Sequence, residues 1–570
     1  MVRIERNVSE LSRPFDVVIV GGGITGVSIA RETAGRGLRT LLVEKGDFGE
    51  GTSSATSKFI HGGIRYLEQY QFAVVRESLR ERRILGLAAP HLVNQTRFVM
   101  PAWKWSKPGA PLIGAGVALY RALGFDSNKD APDSLRVPNP RWLSKETVLR
   151  DIPWLNGDQL QGAWAYHDTM NVHPERLLLA FLQSAVSSGA VALNHMRADG
   201  FVTAARGQET LVEGVHLVDS LTGERHTVRS RTIVNAGGPW MDLVLGPIGR
   251  QLGVGVNRSK GVHLLTRALG GSDAVFARAR SGHHVIVSQW QGHSFIGPTD
   301  TPMGDTDPDD VAVDATDVRL ILDTVNDTIS PTSATGPLTE EDIEAVTVGI
   351  RPLVLEEGKG DTYKASRKAE LYDHGERGVH HLYSIGGGKW TTGRAIAVDV
   401  AEKLLASPAL EGVATHHFDS TRLAAFGTFA WAEDAEPFLE QAARSRPELG
   451  MSHDVRLHLA RLYGTEHERV LDLVAADHSL GRRISERAGV LDIAAQAVFA
   501  VSDEGARTLG DVLHRRLVIG TFGPATDAEL FTVADLIHPL LGWDDATRAA
   551  QISIEQRQRL ALEALRTRAV

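Results

Sequence analysis

The chain has 570 residues, which is too long for one hydrophobic core, so two or three domains are expected. Its 42% hydrophobic and 23% charged residues are typical of a globular protein, and a formal net charge of −9 argues against a nucleic-acid-binding protein. Because the chain contains no cysteine, disulfides, thiolate catalysis and cysteine-ligated metal centres are excluded, and no metal site is predicted.

The first predicted element is a short β-branched strand, residues 17–20. It runs into GGGITG, in which Gly21, Gly23 and Gly26 fit the pattern G-x-G-x-x-G, and a helix and a second strand ending at Glu44 follow. In a dinucleotide-binding fold these glycines let a pyrophosphate approach the helix N-terminus, and the carboxylate binds the adenosine ribose. The pattern predicts NAD or FAD here and disfavours NADP.

Hydroxyl, basic and glycine residues crowd the next segment, residues 51–70, GTSSATSKFIHGGIRYLEQY. Such a loop can bind cofactor phosphate and ribityl oxygens, and an ordinary polar loop is the alternative. Two later segments favour a cofactor: IVNAGGPW at residues 233–240 is a strand entering a small-residue turn, and IGGGKWTTG at residues 385–393 resembles a second glycine turn before a helix. A cofactor contacted by three separate segments is long, which favours FAD over NAD.

Residues 101–125, PAWKWSKPGAPLIGAGVALYRALGF, have the composition of a membrane-interface segment. Trp103 and Trp105 alternate with Lys104 and Lys107, the segment carries about +3 charges, and its apolar part is too short to cross a bilayer. The alternative is a loop and helix packed on their neighbours.

Beyond about residue 415, apolar residues recur at helical spacing. Within this part, EGARTLGDVLHRRL is interpreted as an amphipathic helix with solvated arginines.

Seven motifs occur in the order found in FAD-dependent (respiratory) glycerol-3-phosphate dehydrogenases, and the chain resembles this family over nearly its whole length. They are SSATSKFIHGGIRYLE, IVNAGGPW, SKGVHLL, IGPTD, VGIRPL, IGGGKWTT and EGARTLGDVLHRRLVIG. The resemblance implies an α/β fold in which a Rossmann-type FAD-binding domain is interleaved with an α+β substrate domain, as in D-amino-acid oxidase, plus an α-helical C-terminal domain. The expected limits are 1–85, 165–250 and 345–410 for the FAD-binding domain, 86–164 and 251–344 for the substrate domain, and 415–570 for the helical domain.

The resemblance also implies a reaction: oxidation of sn-glycerol 3-phosphate to dihydroxyacetone phosphate by hydride transfer to FAD, with electrons passed to a membrane quinone. It implies a cytoplasmic protein held peripherally on the inner face of the cell membrane, and a homodimer is one option. The alternatives are a glycerol-3-phosphate oxidase that produces hydrogen peroxide, an amino-acid oxidase, and a non-catalytic flavin-binding protein.

A phosphate-bearing substrate calls for arginine and lysine, which form charge-assisted hydrogen bonds with phosphate. The matched motifs predict Arg65, Tyr66, Arg351, Arg367 and Asp300 as substrate-binding residues. His263, Arg351 and Lys389 are the predicted catalytic residues; only a histidine has an ordinary pKa near neutrality, and the proton acceptor among them stays open. Trp390 and Gly393 depart from the residues expected in relatives.

The predicted cofactor-binding residues are Gly21, Gly23, Ile24, Thr25, Gly26, Glu44, Lys45, Thr52, Ser53, Ser54, Ser57, Lys58, His61, Gly62, Ala236, Gly237, Gly388, Lys389 and Thr391.

Overall fold

The computed structural model of the protein describes residues 2–304, 306–354 and 369–568. The described strands are β1 (Phe15–Val20), β2 (Thr40–Val43), β3 (Phe59–Ile60), β4 (Val93–Trp103), β5 (Arg141–Ser144), β6 (Leu160–Asn171), β7 (Val191–Leu193), β8 (Met196–Arg206), β9 (Glu209–Asp219), β10 (Arg225–Asn235), β11 (Val256–Thr266), β12 (Ala274–Arg278), β13 (His284–Trp290), β14 (His293–Gly297), β15 (Thr301–Pro302), β16 (Ile343–Val354), β17 (Glu370–Asp373), β18 (Val379–His380) and β19 (Leu382–Gly386).

The described helices are α1 (Ile24–Gly35), α2 (Phe72–Ala88), α3 (Ala110–Leu123), α4 (Lys145–Asp151), α5 (Pro174–Ser187), α6 (Met241–Leu252), α7 (Ala315–Asn326), α8 (Gly393–Leu405), α9 (Ala435–Arg444), α10 (His453–Tyr463), α11 (His467–Ala476), α12 (Ala494–Ser502), α13 (Leu509–Asp511), α14 (Asp527–Leu541) and α15 (Asp545–Arg568).

The first sheet carries the glycine turn, and β1 lies inside it between two parallel neighbours. Val18 pairs with Leu41 of β2 and with Ile233 of β10, and the order across the sheet is β17-β19-β10-β1-β2-β7. Helices α1, α5 and α8 cover one face through a cluster that includes Val17 and Ile19, while Val18 faces a second cluster on the other side. Because both faces of β1 are covered, its successive residues are apolar instead of alternating between apolar and polar.

The second sheet positions the other side of the site. Its order is β15-β11-β14-β13-β12-β4-β6-β3, with β16 paired to β11 and β5 paired to β6. The antiparallel register of β11 and β16 places Arg351 opposite Ser259 and His263 opposite Thr347. Side chains alternate along β11, so Val262 and Leu264 pack toward α7 while His263 points the other way.

The sheets only partly follow the predicted domain limits. Strands β3 and β16 fall in segments predicted for the FAD-binding domain, 1–85 and 345–410, yet both form their strand pairs within the second sheet. The α/β class with a helical C-terminal part is confirmed, whereas the limits stay a prediction of the sequence.

The C-terminal helices pack on a shared apolar core that includes Leu459, Val470 and Phe499. The prediction that the arginines of EGARTLGDVLHRRL are solvated is wrong. Arg515 and Arg516 lie at the end of a π-helical turn, Val512–Arg516, and are 8% and 1% exposed. Each guanidinium donates hydrogen bonds to Asp47. Asp47 lies far away in the sequence, so the local spacing of apolar residues could not reveal this pairing.

The predicted interface segment, residues 101–125, is built differently from the expectation. Trp103 ends β4, is buried, and donates its indole N–H to the carbonyl of Asn156 at 2.9 Å, while Trp105 stacks on it. The exposed apolar side chains lie on and after α3 instead, at Leu112, Leu119 and Phe125. No helix in the described ranges combines the length and the apolar character that a bilayer crossing requires.

Candidate cofactor and substrate site

A cavity of about 770 Å³ lies between the two sheets. At one end it is lined by the glycine turn after β1 and by the start of α1. At the other end it is lined by side chains of the second sheet and by the segments that contain Arg65 and Lys389. A long cavity with a backbone-lined end and a side-chain-lined end suits a ligand with a nucleotide at one end and a flat ring at the other.

The three glycines of the turn have different roles. A Cβ on Gly26 would lie 1.8 Å from the carbonyl oxygen of Gly21, so the third glycine is required for α1 to pack on the turn. Gly21 has φ +111°, and a Cβ there would lie 2.5 Å from the carbonyl oxygen of Ala236. At Gly23 the only described atom within 4 Å would be Ser53 Oγ at 3.1 Å, and Gly23 lines the cavity. Gly23 therefore keeps space open for a ligand.

Glu44 lies beside this turn with both carboxylate oxygens hydrogen-bonded. Oε2 accepts from the backbone N–H of Gly22 at 2.6 Å and Oε1 from that of Gly46 at 2.9 Å. Burial raises the pKa of Glu44, and the two backbone hydrogen bonds oppose that shift. The Lys45 ammonium beside it lies 4.2 Å from the Trp240 ring centre.

The hydroxyl-rich loop contacts the cavity through some of its members. Ser53 Oγ accepts from the backbone N–H of Ile24 at 2.9 Å, and Thr52 Oγ1 donates to the carbonyl of Ile350 at 2.6 Å. Ser57 Oγ lies 2.8 Å from His263 Nε2 and so joins the loop to the second sheet. These contacts hold the loop along the cavity, and its binding to a cofactor stays a prediction of the sequence.

The structure brings most of the predicted cofactor-binding residues to the cavity wall. The lining members are Gly21, Gly23, Ile24, Thr25, Glu44, Lys45, Thr52, Ser53, Ser57, His61, Ala236, Gly237, Gly388, Lys389 and Thr391. Gly26, Ser54, Lys58 and Gly62 do not line it. Lys58 is buried with its ammonium 4.6 Å from the Trp290 ring centre, and burial lowers its pKa.

Positive charge collects at the far end of the cavity. Arg65, Tyr66 and Lys389 line it, and the Lys389 ammonium lies 4.0 Å from the Tyr66 ring centre while donating to Ser78 Oγ at 3.0 Å. Burial, and then the charges of Lys389 and Arg65, lower the pKa of His61 to about 3. This end is therefore suited to an anionic group, and His61 is neutral there.

Arg351 is held rigidly by the second sheet. Its Nη2 donates to the carbonyl of Thr299 at 2.8 Å, and its Nη1 lies 3.3 Å from Ser259 Oγ and 3.5 Å from Asp300 Oδ1. Ser259 also donates to Asp300, which does not itself line the cavity. Asp300 thus orients Arg351 instead of facing the cavity. Arg367, the remaining predicted arginine, lies outside the described residues.

His263 lines the cavity from β11 and stacks on Phe295 with ring centres 4.8 Å apart. Burial, and then the charges of Arg351 and Lys58, lower the pKa of His263 to about 3, so its ring is neutral at physiological pH. Nε2 is paired with Ser57, whereas Nδ1 is buried without a hydrogen-bond partner among the described residues. With a pKa of about 3 the neutral ring is a weak base, so proton transfer to it requires a change in its surroundings.

An apolar wall at this end was not predicted. Phe276 and Ile286 pair across β12 and β13, and both line the cavity. Phe59, Phe98 and Tyr166 contribute from neighbouring strands. The apolar run of β13 is typical of a strand, but only the sheet order shows which of its faces meets the cavity.

The two residues that depart from the family pattern both lie near the start of α1. Trp390 lines the cavity and packs against the cluster beneath the first sheet. A Cβ on Gly393 would lie 3.1 Å from Ile24 Cγ1, so a larger residue would require the neighbouring chain to shift. Glycine there lets α8 lie close to the glycine turn.

Comparisons with known proteins cover nearly the whole chain. A family model described as "FAD dependent oxidoreductase" matches residues 16–403, and one described as "C-terminal domain of alpha-glycerophosphate oxidase" matches residues 426–548. A glycerol-3-phosphate dehydrogenase of Synechocystis sp. is 34% identical over 531 residues, which cover 90% of this chain and 90% of the relative. Glycerol-3-phosphate dehydrogenase 2 of Mycobacterium bovis is 35% identical over 539 residues. That match covers 93% of this chain and 86% of the relative.

A solved structure agrees with these matches. The structure of the glycerol-3-phosphate dehydrogenase from Bacillus halodurans complexed with FAD is 26% identical, with a TM-score of 0.74, and the match covers 96% of this chain and 95% of that one. The predicted cofactor, FAD, is therefore confirmed as that of the family, and the cavity has the two unlike ends that such a dinucleotide needs. The chain belongs to the FAD-dependent glycerol-3-phosphate dehydrogenase family.

Proposed function

We propose that this protein oxidises sn-glycerol 3-phosphate to dihydroxyacetone phosphate, using FAD bound in the cavity between the two sheets. The observation that carries the proposal is one cavity with a dinucleotide-type glycine turn at one end and Arg65, Arg351, Lys389 and His263 at the other. When bound, FAD supplies an acceptor for the hydride of a secondary alcohol. The chain's own residues bind the substrate, orient it and take its hydroxyl proton.

The adenosine end of FAD is assigned to the glycine turn. Gly23 leaves room for the pyrophosphate, the N-terminus of α1 faces it, and Glu44 accepts hydrogen bonds from the ribose hydroxyls. A carboxylate oxygen has two lone pairs, so Glu44 can keep its bonds to Gly22 and Gly46 while accepting from a ribose.

The phosphate of the substrate is assigned to the cationic end. Thr299 and Asp300 hold the guanidinium of Arg351, so its positive charge is positioned at the cavity wall. Arg65 and Lys389 add positive charge to the same cavity. An amino-acid substrate has one carboxylate and needs fewer cations, which favours the phosphate-bearing alcohol.

His263 is assigned as the acceptor of the hydroxyl proton. Arginine cannot act as a base at neutral pH, and Lys389 already donates to Ser78 and contacts Tyr66. The His263 ring is neutral, and a dianionic substrate beside it raises its pKa and so favours the protonated form.

The electron acceptor is assigned as a membrane quinone, reached by peripheral attachment to the inner face of the cell membrane. An exposed apolar surface supports this assignment: Leu112, Leu119 and Phe125 on and after α3, hereafter the α3 surface. The exposed Lys107 precedes α3 and borders the apolar residues, whereas Arg76, 4.5 Å from the Phe125 ring centre, is paired with Asp126. This composition suits an anionic lipid surface.

Steady-state turnover with different acceptors tests the proposed function. We expect FAD-loaded protein to reduce a short-chain ubiquinone with glycerol 3-phosphate, but not with glycerol or amino acids, and to form little hydrogen peroxide in air. Rapid peroxide formation would favour a glycerol-3-phosphate oxidase. Turnover of an amino acid in place of glycerol 3-phosphate would refute the substrate.

A further inference from the structure

The C-terminal helical part holds the loop that carries Glu44. Asp47, three residues after Glu44, is fully buried. Its Oδ2 accepts from Arg515 Nε at 2.6 Å and from Arg516 Nη1 at 2.7 Å, and its Oδ1 accepts from Arg516 Nη2 at 3.0 Å. Asn194 Nδ2 donates to the same Oδ1 at 3.0 Å. Both arginines therefore bind a single carboxylate of the first sheet's loop.

A second connection runs parallel to the first. The backbone N–H of His195 donates to the carbonyl of Gly46 at 2.7 Å, and its ring Nε2 lies 2.9 Å from Asp511 Oδ2. Asp511 also accepts from Arg515 at 2.9 Å. Burial alone would lower the pKa of His195, but Asp511, with Asp47, raises it. Both connections meet at the same short segment, residues 511–516.

The geometry of Glu44 depends on this loop. One of its two carboxylate hydrogen bonds comes from the N–H of Gly46, next to Asp47, and residues 44–50 form no helix or strand. Such a segment takes its shape from tertiary contacts. Without its arginines, Asp47 would be a buried unpaired charge, which the loop can relieve only by moving toward water. That movement would draw Gly46 away from Glu44.

We infer that Arg515 and Arg516 are positioning residues for FAD: by holding Asp47 they fix Glu44 where the adenosine ribose binds. The C-terminal part is thus a component of the cofactor site, although residues 504–519 do not line the cavity. The inference rests on the proposed placement of the ribose at Glu44. Because binding couplings are reciprocal, FAD should in turn tighten the docking of this segment.

Titration of the apoprotein with FAD, followed by flavin fluorescence, tests the inference. Arg516→Lys keeps the charge but loses the two-pronged contact, and we expect the Kd for FAD to rise about tenfold or more, the effect of losing one hydrogen bond to a charged group. The control is Arg97→Lys. Arg97 also forms a two-pronged pair with a buried aspartate, Asp273, at 2.6 and 2.7 Å, and its third partner, Asp151, likewise lies outside residues 44–50 and 504–519.

A double-mutant cycle separates positioning from general destabilisation. If Arg516 acts through Glu44, the double variant Glu44→Ala/Arg516→Lys should bind FAD about as weakly as the weaker single variant. Additive losses, or an equal loss in Arg97→Lys, would overturn the inference while leaving the ribose placement intact. An unchanged Kd in Glu44→Ala would overturn the ribose placement itself and the inference with it.

Two further measurements apply if Arg516→Lys does not fold. Asp47→Asn replaces it in the same cycle, with the same expected non-additivity. Hydrogen exchange of the unmodified protein should be slower across residues 504–519 with FAD than without it, and equal exchange in the two states would contradict the coupling.

Discussion

At the scale of single residues, the cations of the site differ in how firmly they are held. Arg351 is bound on two sides by Thr299 and Asp300, whereas Lys389 contacts a hydroxyl and an aromatic ring. Rigid groups contribute more to catalysis, because no ordering is needed when the substrate arrives. The loss of Arg351 should therefore lower catalysis strongly.

Replacing Arg351 with alanine is expected to lower kcat/KM for glycerol 3-phosphate about a hundredfold or more, since two charge-assisted hydrogen bonds are lost. The flavin absorbance per protein should stay unchanged, because the predicted role is toward the substrate. Arg267→Ala is the matched control: Arg267 also pairs with an aspartate, Asp342 in the turn before β16, at 2.6 Å, but does not line the cavity. Near-normal kinetics in Arg351→Ala would show that the residue is structural.

The glycines of the turn allow a test that separates binding from folding. Gly23→Val should abolish FAD retention with little loss of apoprotein stability, because its side chain would enter the space that the pyrophosphate needs. Gly26→Ala should instead lower the stability of the apoprotein, because the added Cβ would overlap the carbonyl oxygen of Gly21. Flavin content after gel filtration and apoprotein melting temperature measure the two effects. Stoichiometric FAD in Gly23→Val would refute the placement of the pyrophosphate.

At the scale of elements, residues 101–125 show what composition can and cannot predict. The local pattern correctly indicated an apolar segment too short to cross a bilayer, and α3 is that segment. It wrongly favoured the tryptophans as the exposed part, because Trp103 lies on a strand whose burial is set by β6 and by the distant Asn156. The α3 surface replaces them as the candidate contact with lipid.

Co-sedimentation with anionic vesicles tests that surface. Leu112→Ser/Phe125→Ser should reduce the bound fraction severalfold, because both side chains are exposed and apolar, at 66% and 74%. Leu221→Ser/Leu560→Ser, which changes two exposed leucines elsewhere, is the control and should bind like the unmodified protein. Trp103→Ser/Trp105→Ser should act mainly on stability. Equal sedimentation of the unmodified protein and Leu112→Ser/Phe125→Ser would remove the α3 surface as the anchor.

At the scale of the whole molecule, long-range contacts decide what the sequence could predict. The glycine turn and Glu44 were predictable because strand, turn and helix lie within one short segment whose spacing carries the chemistry. The burial of Arg516 was not, because its partner Asp47 lies 469 residues away. The apolar wall of Phe276 and Ile286 was missed for the same reason, since its exposure to the cavity depends on the order of strands in the second sheet.

The interleaving of segments also explains why the site needs the complete chain. The glycine turn belongs to the first sheet, Arg351 and His263 to the second, and Asp47 is held by the C-terminal helices. In the proposed function, the first sheet would provide a place for the dinucleotide, the second sheet a cation and a proton acceptor, and the C-terminal helices a brace for the loop proposed to bind the ribose.

Anaerobic titration of the fully FAD-loaded protein with glycerol 3-phosphate tests the central claim most directly, because it follows the reducing step without any electron acceptor. The proposal predicts stoichiometric loss of the oxidised flavin absorbance with glycerol 3-phosphate, formation of dihydroxyacetone phosphate, and no change with glycerol or with amino acids. An oxidised flavin spectrum that persists in saturating glycerol 3-phosphate would contradict the proposed function.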